Sequence, residues 1–140
     1  AYLQIGIRGP TSWANDLSHA EEMGAKILTI DRVFEMGIPA VITEMQETVG
    51  ERPVYISLDI DSVDPAFAPG TGTPEVGGLS SYQILQLVRG LQGLNIVGFD
   101  LVEVSPPYDH GDITAILASN LAFEFISLLA LQKRAEKTGE

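Results

Sequence analysis

The 140-residue sequence contains no cysteine. That absence excludes a disulfide framework, a thiolate metal site and redox chemistry at sulfur, and leaves the cytoplasm as the default compartment. Basic residues are scarce, with 8 Lys and Arg against 19 Asp and Glu and a formal net charge of -11. Such a balance disfavours nucleic acid and anionic membrane as partners, since both would be repelled, and fits a small cationic ligand better. No apolar run suits lipid, because the most apolar stretch, Ile113 to Leu131, is broken by Thr114, Ser119, Asn120, Glu124 and Ser127. The opening residues Ala1 to Ile7 lack the basic segment and long apolar segment of a signal peptide and read as a strand, so the chain is expected to start inside a sheet. The two histidines, His19 and His110, fall in no metal-ligand spacing and read as surface residues.

What is present is enough for one domain, since 45% of the residues are hydrophobic. Four apolar, β-rich runs stand out: Tyr2 to Ile7, Ile27 to Ile30, Val54 to Ile60 and Ile96 to Val104. Between them Asp16 to Gly24, Ile38 to Gly50 and Ser81 to Gly93 have helical length and end at glycine, and Ser80 with Gln83 forms a capping box. A long amphipathic helix is expected from Asp112 to about Lys133, with apolar residues Ile113, Ile116, Leu117, Leu121, Phe125, Leu128 and Leu129, followed by a frayed tail. Uniformly apolar strands alternating with helices predict a parallel sheet covered on both faces, an open α/β layer fold. Ligands in such folds bind outside the carboxyl ends of the strands, where Arg8, Asp59, Asp61 and Glu103 lie.

The third run ends in Ser57-Leu58-Asp59-Ile60-Asp61 and enters a loop stiffened by Pro65, Pro69, Gly70, Gly72, Pro74, Gly77 and Gly78. In extended backbone an Asp-x-Asp places both carboxylates on one side, so two hard oxygen donors converge as a metal site would require. Turn formation by the aspartates is the alternative. An EF-hand is excluded, because counting Asp59 as position 1 puts Val63 at position 5, Asp64 at position 6 and Gly70 at position 12. Gly70-Thr71-Gly72-Thr73 lacks the Lys and following Ser or Thr of a phosphate loop, which leaves magnesium-dependent phosphoryl or glycosyl transfer without a nucleotide site. Glu103, at the end of the fourth run, is costly to bury unless it meets a cation; the candidates are a structural pair with Arg8 or a cationic substrate. Asp100 and Asp64 read as structural, the second as a turn former, and Trp13 as a packing residue with pocket lining as its alternative.

Ser57-Leu58-Asp59-Ile60-Asp61-x-x-Asp64-Pro65, Ala68-Pro69-Gly70-Thr71-Gly72-Thr73-Pro74, Gly77-Gly78-Leu79 and Glu103-Val104-Ser105-Pro106-Pro107, with Gln4-Ile5-Gly6-Ile7-Arg8-Gly9 upstream, resemble the ureohydrolase family of arginases and agmatinases. Gly70, where arginases tend to carry alanine, and Pro106-Pro107-Tyr108-Asp109 tilt the resemblance toward agmatinases and guanidino-acid hydrolases. The resemblance implies a three-layer α/β/α sandwich with a parallel sheet, of which residues 1–140 are the C-terminal portion, about half of a single domain. It further implies hydrolysis of agmatine or a guanidino acid to urea and an amine at two manganese ions that activate a hydroxide, with Asp59 bridging both ions, Asp61 binding one and Glu103 pairing with the substrate guanidinium. The family draws its other ligands from Gly-Gly-Asp-His and Asp-Ala-His-x-Asp segments, which these residues do not contain. Activity of this chain alone is therefore not expected. The alternative is a noncatalytic α/β module that binds a partner chain, and an unpaired sheet edge favours a homo-oligomer.

Overall fold

The computed structural model describes residues 1–10 and 16–138, so Trp13 lies outside the described residues. Strand β1 (Tyr2–Ile7) has the limits read from the sequence, and helix α1 (Asp16–Glu22) leads to strand β2 (Ala25–Thr29), which pairs with β1 in parallel. Helices α2 (Ile30–Met36) and α3 (Ile38–Val49) follow, then strand β3 (Val54–Asp59), helix α4 (Ser81–Arg89), strand β4 (Ile96–Val102) and helix α5 (Ile113–Thr138).

Helix α2 has no counterpart in the sequence reading. Thr29, taken there as part of a strand, caps it by accepting the Arg32 N–H, and Ile30 and Val33 are its buried residues. Seven residues are too few to show a helical period, and Gly37, at φ +76, separates the segment from α3, which starts with Pro39 in its first turn. The Ser80–Gln83 capping box is present in both directions, and α4 stops at Arg89, short of Gly93. At Gly90 the backbone passes so close to α3 that a Cβ would stand 2.5 Å from Ile42, and the chain then continues in tight turns.

The strands form two parallel pairs, β1–β2 and β3–β4, rather than one continuous sheet among the described residues. Within the second pair Ser57 faces Asp100 and Asp59 faces Val102. Alternation sends Ile56, Leu58, Phe99 and Leu101 toward the core, where Phe99 stacks on Phe125 of α5 at 4.5 Å between ring centres. Phe125 is fully buried, and truncating such a side chain costs about 3–5 kcal/mol. Tyr55, on the opposite face, is 59% exposed, so this pair is covered on one face and not on both as the sequence led us to expect.

Helix α5 also departs from expectation. Thr114, Leu117, Leu121, Phe125 and Leu128 make its buried side, while Ile113, Ile116, Phe123 and Ile126 are exposed. It is apolar on two sides, not amphipathic, and it runs to Thr138 where a frayed tail was expected. By length and composition alone it could cross a membrane, with a mean hydropathy of 1.8 in its most apolar window. Its packing through Phe125 and Leu121 gives it the place of a core helix.

Candidate functional site

The carboxyl ends of β3 and β4 carry the candidate residues. Asp59 closes β3, and the chain then enters a 3₁₀ turn, Ile60–Ser62, anchored by fully buried Ile60. Asp59 caps that turn: its Oδ1 accepts the Asp61 N–H at 3.0 Å, and the Ser62 hydroxyl donates to its carbonyl at 2.7 Å. Asp59 and Asp61 therefore meet through an Asx-type turn, not through the strand alternation inferred from the sequence. The turn reading and the convergence reading describe the same geometry.

Burial is the main cause that lifts the Asp59 carboxyl above its ordinary range, and the charges of Asp61 and Glu103 add to it against the opposing hydrogen bond from the Asp61 N–H. The three acidic groups thus share one field. Asp61 is held from the far side of the loop by the Thr73 hydroxyl, which donates to its Oδ2 at 2.8 Å.

Glu103 differs from expectation in two ways. It stands just past β4 with φ +64, exposed rather than buried in the strand, and no Lys or Arg among the described residues forms an ion pair with it. Its carboxylate lies beside Gly72, where a Cβ would stand 3.9 Å from Glu103 Oε2. That placement follows from an antiparallel bridge between Thr71 and Val104 and from the Ser105 N–H donating to the Gly70 carbonyl at 2.8 Å, which draw the glycine-rich loop onto the end of β4.

Asp64 is the turn former that the sequence suggested. Its carboxylate accepts the N–H groups of Ala66, Gly77 and Gly78 at 2.8–3.1 Å, joining both ends of the loop. The Ala66 bond is the largest influence holding its carboxyl below the usual range, helped by the two glycine amides and the charge of Arg8, against a smaller effect of burial. A depressed folded-state value stabilises the protein above the ordinary Asp range, and that contribution is lost as pH falls through the depressed value. Asp64→Asn is accordingly expected to flatten the acid limb of the stability curve, read as thermal unfolding against pH.

Gly70 and Asp109, both quoted above for the agmatinase tilt, touch. A Cβ on Gly70 would stand 2.7 Å from that of Asp109, whose carboxylate accepts the Thr114 and Ala115 N–H groups and so caps α5. The Gly70 N–H in turn donates to buried Thr114 Oγ1 at 2.7 Å. Gly70→Ala is expected to destabilise the protein by about 1–3 kcal/mol through overpacking, measured by chemical denaturation.

Asp100 accepts the Tyr55 hydroxyl at 2.9 Å, and His19 and His110 are exposed, His19 Nδ1 lying 3.9 Å from Glu22 Oε2. Thr73 and Asp109 were missed as supports, because nothing in a Gly-Thr-Gly-Thr or Pro-Pro-Tyr-Asp string says which distant group it will meet. Among the described residues no three His, Cys, Asp or Glu side chains form a metal-sized cluster. Asp59 and Asp61 are an all-oxygen, doubly acidic partial donor set that fits a hard divalent cation such as manganese and needs further ligands to hold one.

The Arginase family model matches residues 1–127. Guanidinopropionase of Pseudomonas aeruginosa is 49% identical over 91% of this chain and 40% of its own length. Agmatinase of Photorhabdus laumondii is 46% identical over 94% of this chain and 40% of its own length. The structure of proclavaminate amidinohydrolase from Streptomyces clavuligerus superposes with a TM-score of 0.86 at 49% identity, covering 90% of this chain and 42% of that one. The chain thus spans about two fifths of the length of these relatives and shares the α/β fold over the part it matches. It belongs to the arginase family.

Proposed function

We infer that the protein of which these residues form the carboxyl-terminal part hydrolyses a guanidino compound, agmatine or a guanidino acid, to urea and an amine with manganese as cofactor. The observation that carries this reading is the gathering of Asp59, Asp61 and Glu103 in one field, where burial first and the charges of the other two carboxylates after it raise Asp59. Such an arrangement gains stability when cations enter it. Relatives bearing the names guanidinopropionase and agmatinase give the chemical class.

In this reading Asp59 and Asp61 would hold the ions. Bound manganese supplies a water acidic enough to be a nucleophile near neutral pH and a positive counter-charge for the tetrahedral centre. Thr73 keeps one Asp61 oxygen fixed, so the other would be the one left to serve as a metal donor. Glu103, exposed at the rim, accepts N–H groups from the flat guanidinium and orients its carbon toward the site. Two carboxylates are too few for two ions, so the chain by itself is inactive and the remaining ligands come from the rest of the domain. Cytoplasmic location rests on the cysteine-free composition, and a homo-oligomer on the apolar surface of α5 together with the open strand edges.

Urea release by the full-length protein from agmatine and from short guanidino acids, with and without manganese, tests this. Manganese-dependent urea supports it. The second reading, a noncatalytic α/β module, is favoured by the lack of a three-ligand cluster among the described residues; full-length protein that neither binds manganese nor releases urea would establish it.

A further inference from the structure

We propose that Arg8 is a positioning residue for the carboxylate pair, acting on Asp61 through the backbone; this rests on the metal reading of Asp59 and Asp61. Arg8 follows β1, in the strand pair that does not carry the carboxylates, yet its guanidinium reaches across to the loop after β3. Nη2 donates to the carbonyls of Asp61 and Glu75, both at 2.6 Å, and to Val63 at 3.4 Å, while Nε donates to Val76 at 3.3 Å. Every acceptor is a main-chain oxygen of the site loop.

Those carbonyls come from its two arms. One arm carries Asp61, and the other carries Thr73 two residues before Glu75. Because the Thr73 hydroxyl donates to Asp61 Oδ2, the separation of the arms decides where that carboxylate points. Fixing the Asp61 carbonyl also fixes the following peptide plane, hence the direction of the Asp61 Cα–Cβ bond. The Asp61 N–H occupies Asp59 Oδ1, so the same restraint reaches the second carboxylate. A planar fork with donors on several edges can hold two arms at once, which a lysine ammonium cannot match in geometry.

The loop packs closely on this cation. A Cβ at Gly78 would stand 2.5 Å from the Asp64 backbone nitrogen and 2.8 Å from Arg8 Nη2, so glycine there lets both the opposite arm and the guanidinium approach. Arg8 also forms no ion pair among the described residues: its donors serve main-chain carbonyls, and its charge acts on Asp64, the carboxylate that ties the two ends of the loop.

The test compares full-length wild type with Arg8→Lys, which keeps the charge and loses the fork. Arg52→Lys is the control, since Arg52 makes the same kind of bonds to the Thr48 and Val49 carbonyls at the end of α3. Manganese affinity is read by titrating the free Mn²⁺ resonance signal, and metal-free stability by chemical denaturation. Arg8→Lys is expected to lose affinity about 10- to 100-fold, the range for residues that orient metal ligands, with the unfolding midpoint of the metal-free protein little changed. Arg52→Lys is expected to bind as wild type does. Equal affinity in Arg8→Lys and wild type, or an equal loss in both variants, overturns the inference while leaving the metal reading intact. Arg8→Lys that stays unfolded even with manganese also overturns it, whereas a variant that folds only with manganese supports it. Wild type that takes up no manganese removes the metal reading first and this inference with it.

Discussion

Asp59→Asn is expected to abolish manganese-dependent urea release and to weaken manganese binding by at least about 100-fold, the upper end of what loss of a mere supporting residue costs. The same substitution is expected to leave the metal-free protein at least as stable as wild type at neutral pH. Burial raises the Asp59 carboxyl, with Asp61 and Glu103 adding to it, so the charged form is disfavoured in the fold. A raised folded-state value contributes stability below the ordinary Asp range, and that contribution is lost as pH rises through the raised value. Above that raised value Asp59 is therefore a burden on the metal-free protein, and asparagine removes it. Asparagine also keeps an oxygen to accept the Asp61 N–H, so the turn survives. Opposite movements of stability and metal binding in one variant are the mark of a residue kept for function. Calorimetric unfolding with manganese titration measures both; a destabilised variant with wild-type manganese binding would assign Asp59 to the fold alone.

Glu103→Gln is expected to lower kcat/KM about ten- to a hundredfold, from loss of charge-assisted hydrogen bonds worth about 1.5–3 kcal/mol, while manganese affinity stays within a few fold of wild type. Glu103 sits past the strand end with left-handed backbone, an arrangement uncommon for a residue with a side chain. Left-handed backbone at an exposed carboxylate places it over Gly72 rather than back along β4. No cation among the described residues occupies it, which leaves it available to an arriving guanidinium. Steady-state kinetics alongside manganese titration separates the two roles. A parallel loss of both would mean that Glu103 is a metal ligand.

Local signals carried most of what the sequence disclosed. The apolar run Tyr2–Ile7 is a strand with those limits, Ser80 and Gln83 cap α4 reciprocally, and Asp64 ties the loop, because each depends on residues close in the chain or on a side-chain type with few alternatives. The motif around Asp59, with Gly70, Gly77 and Gly78, placed the chain in its family because those glycines answer to close approaches and backbone angles that other residues do not accept. Contacts made through the main chain left no such trace. Nothing about Arg8 as a letter reveals that it will hold four carbonyls 53–68 residues away, and the alternation rule gave the right neighbours, Asp59 and Asp61, for the wrong reason. Helix α2 was too short for its period to register, and Ile113 and Ile116 satisfied a buried pattern although Thr114 takes the buried place, receiving the Gly70 N–H. Division into two strand pairs and an exposed sheet face follow from long-range packing, which no local pattern in the sequence signals.

The central claim is that Asp59 and Asp61 grip manganese while Glu103 stands ready for a guanidinium. Anomalous scattering at the manganese absorption edge, from crystals of the full-length protein grown with the metal, tests it most directly. The expected result is two peaks about 3.5–4 Å apart, one or both bonded by Asp59 and one by Asp61, with Glu103 close by but outside the coordination sphere. Peaks bonded to other residues, or no ordered manganese while Asp59 and Asp61 face apart, would contradict it.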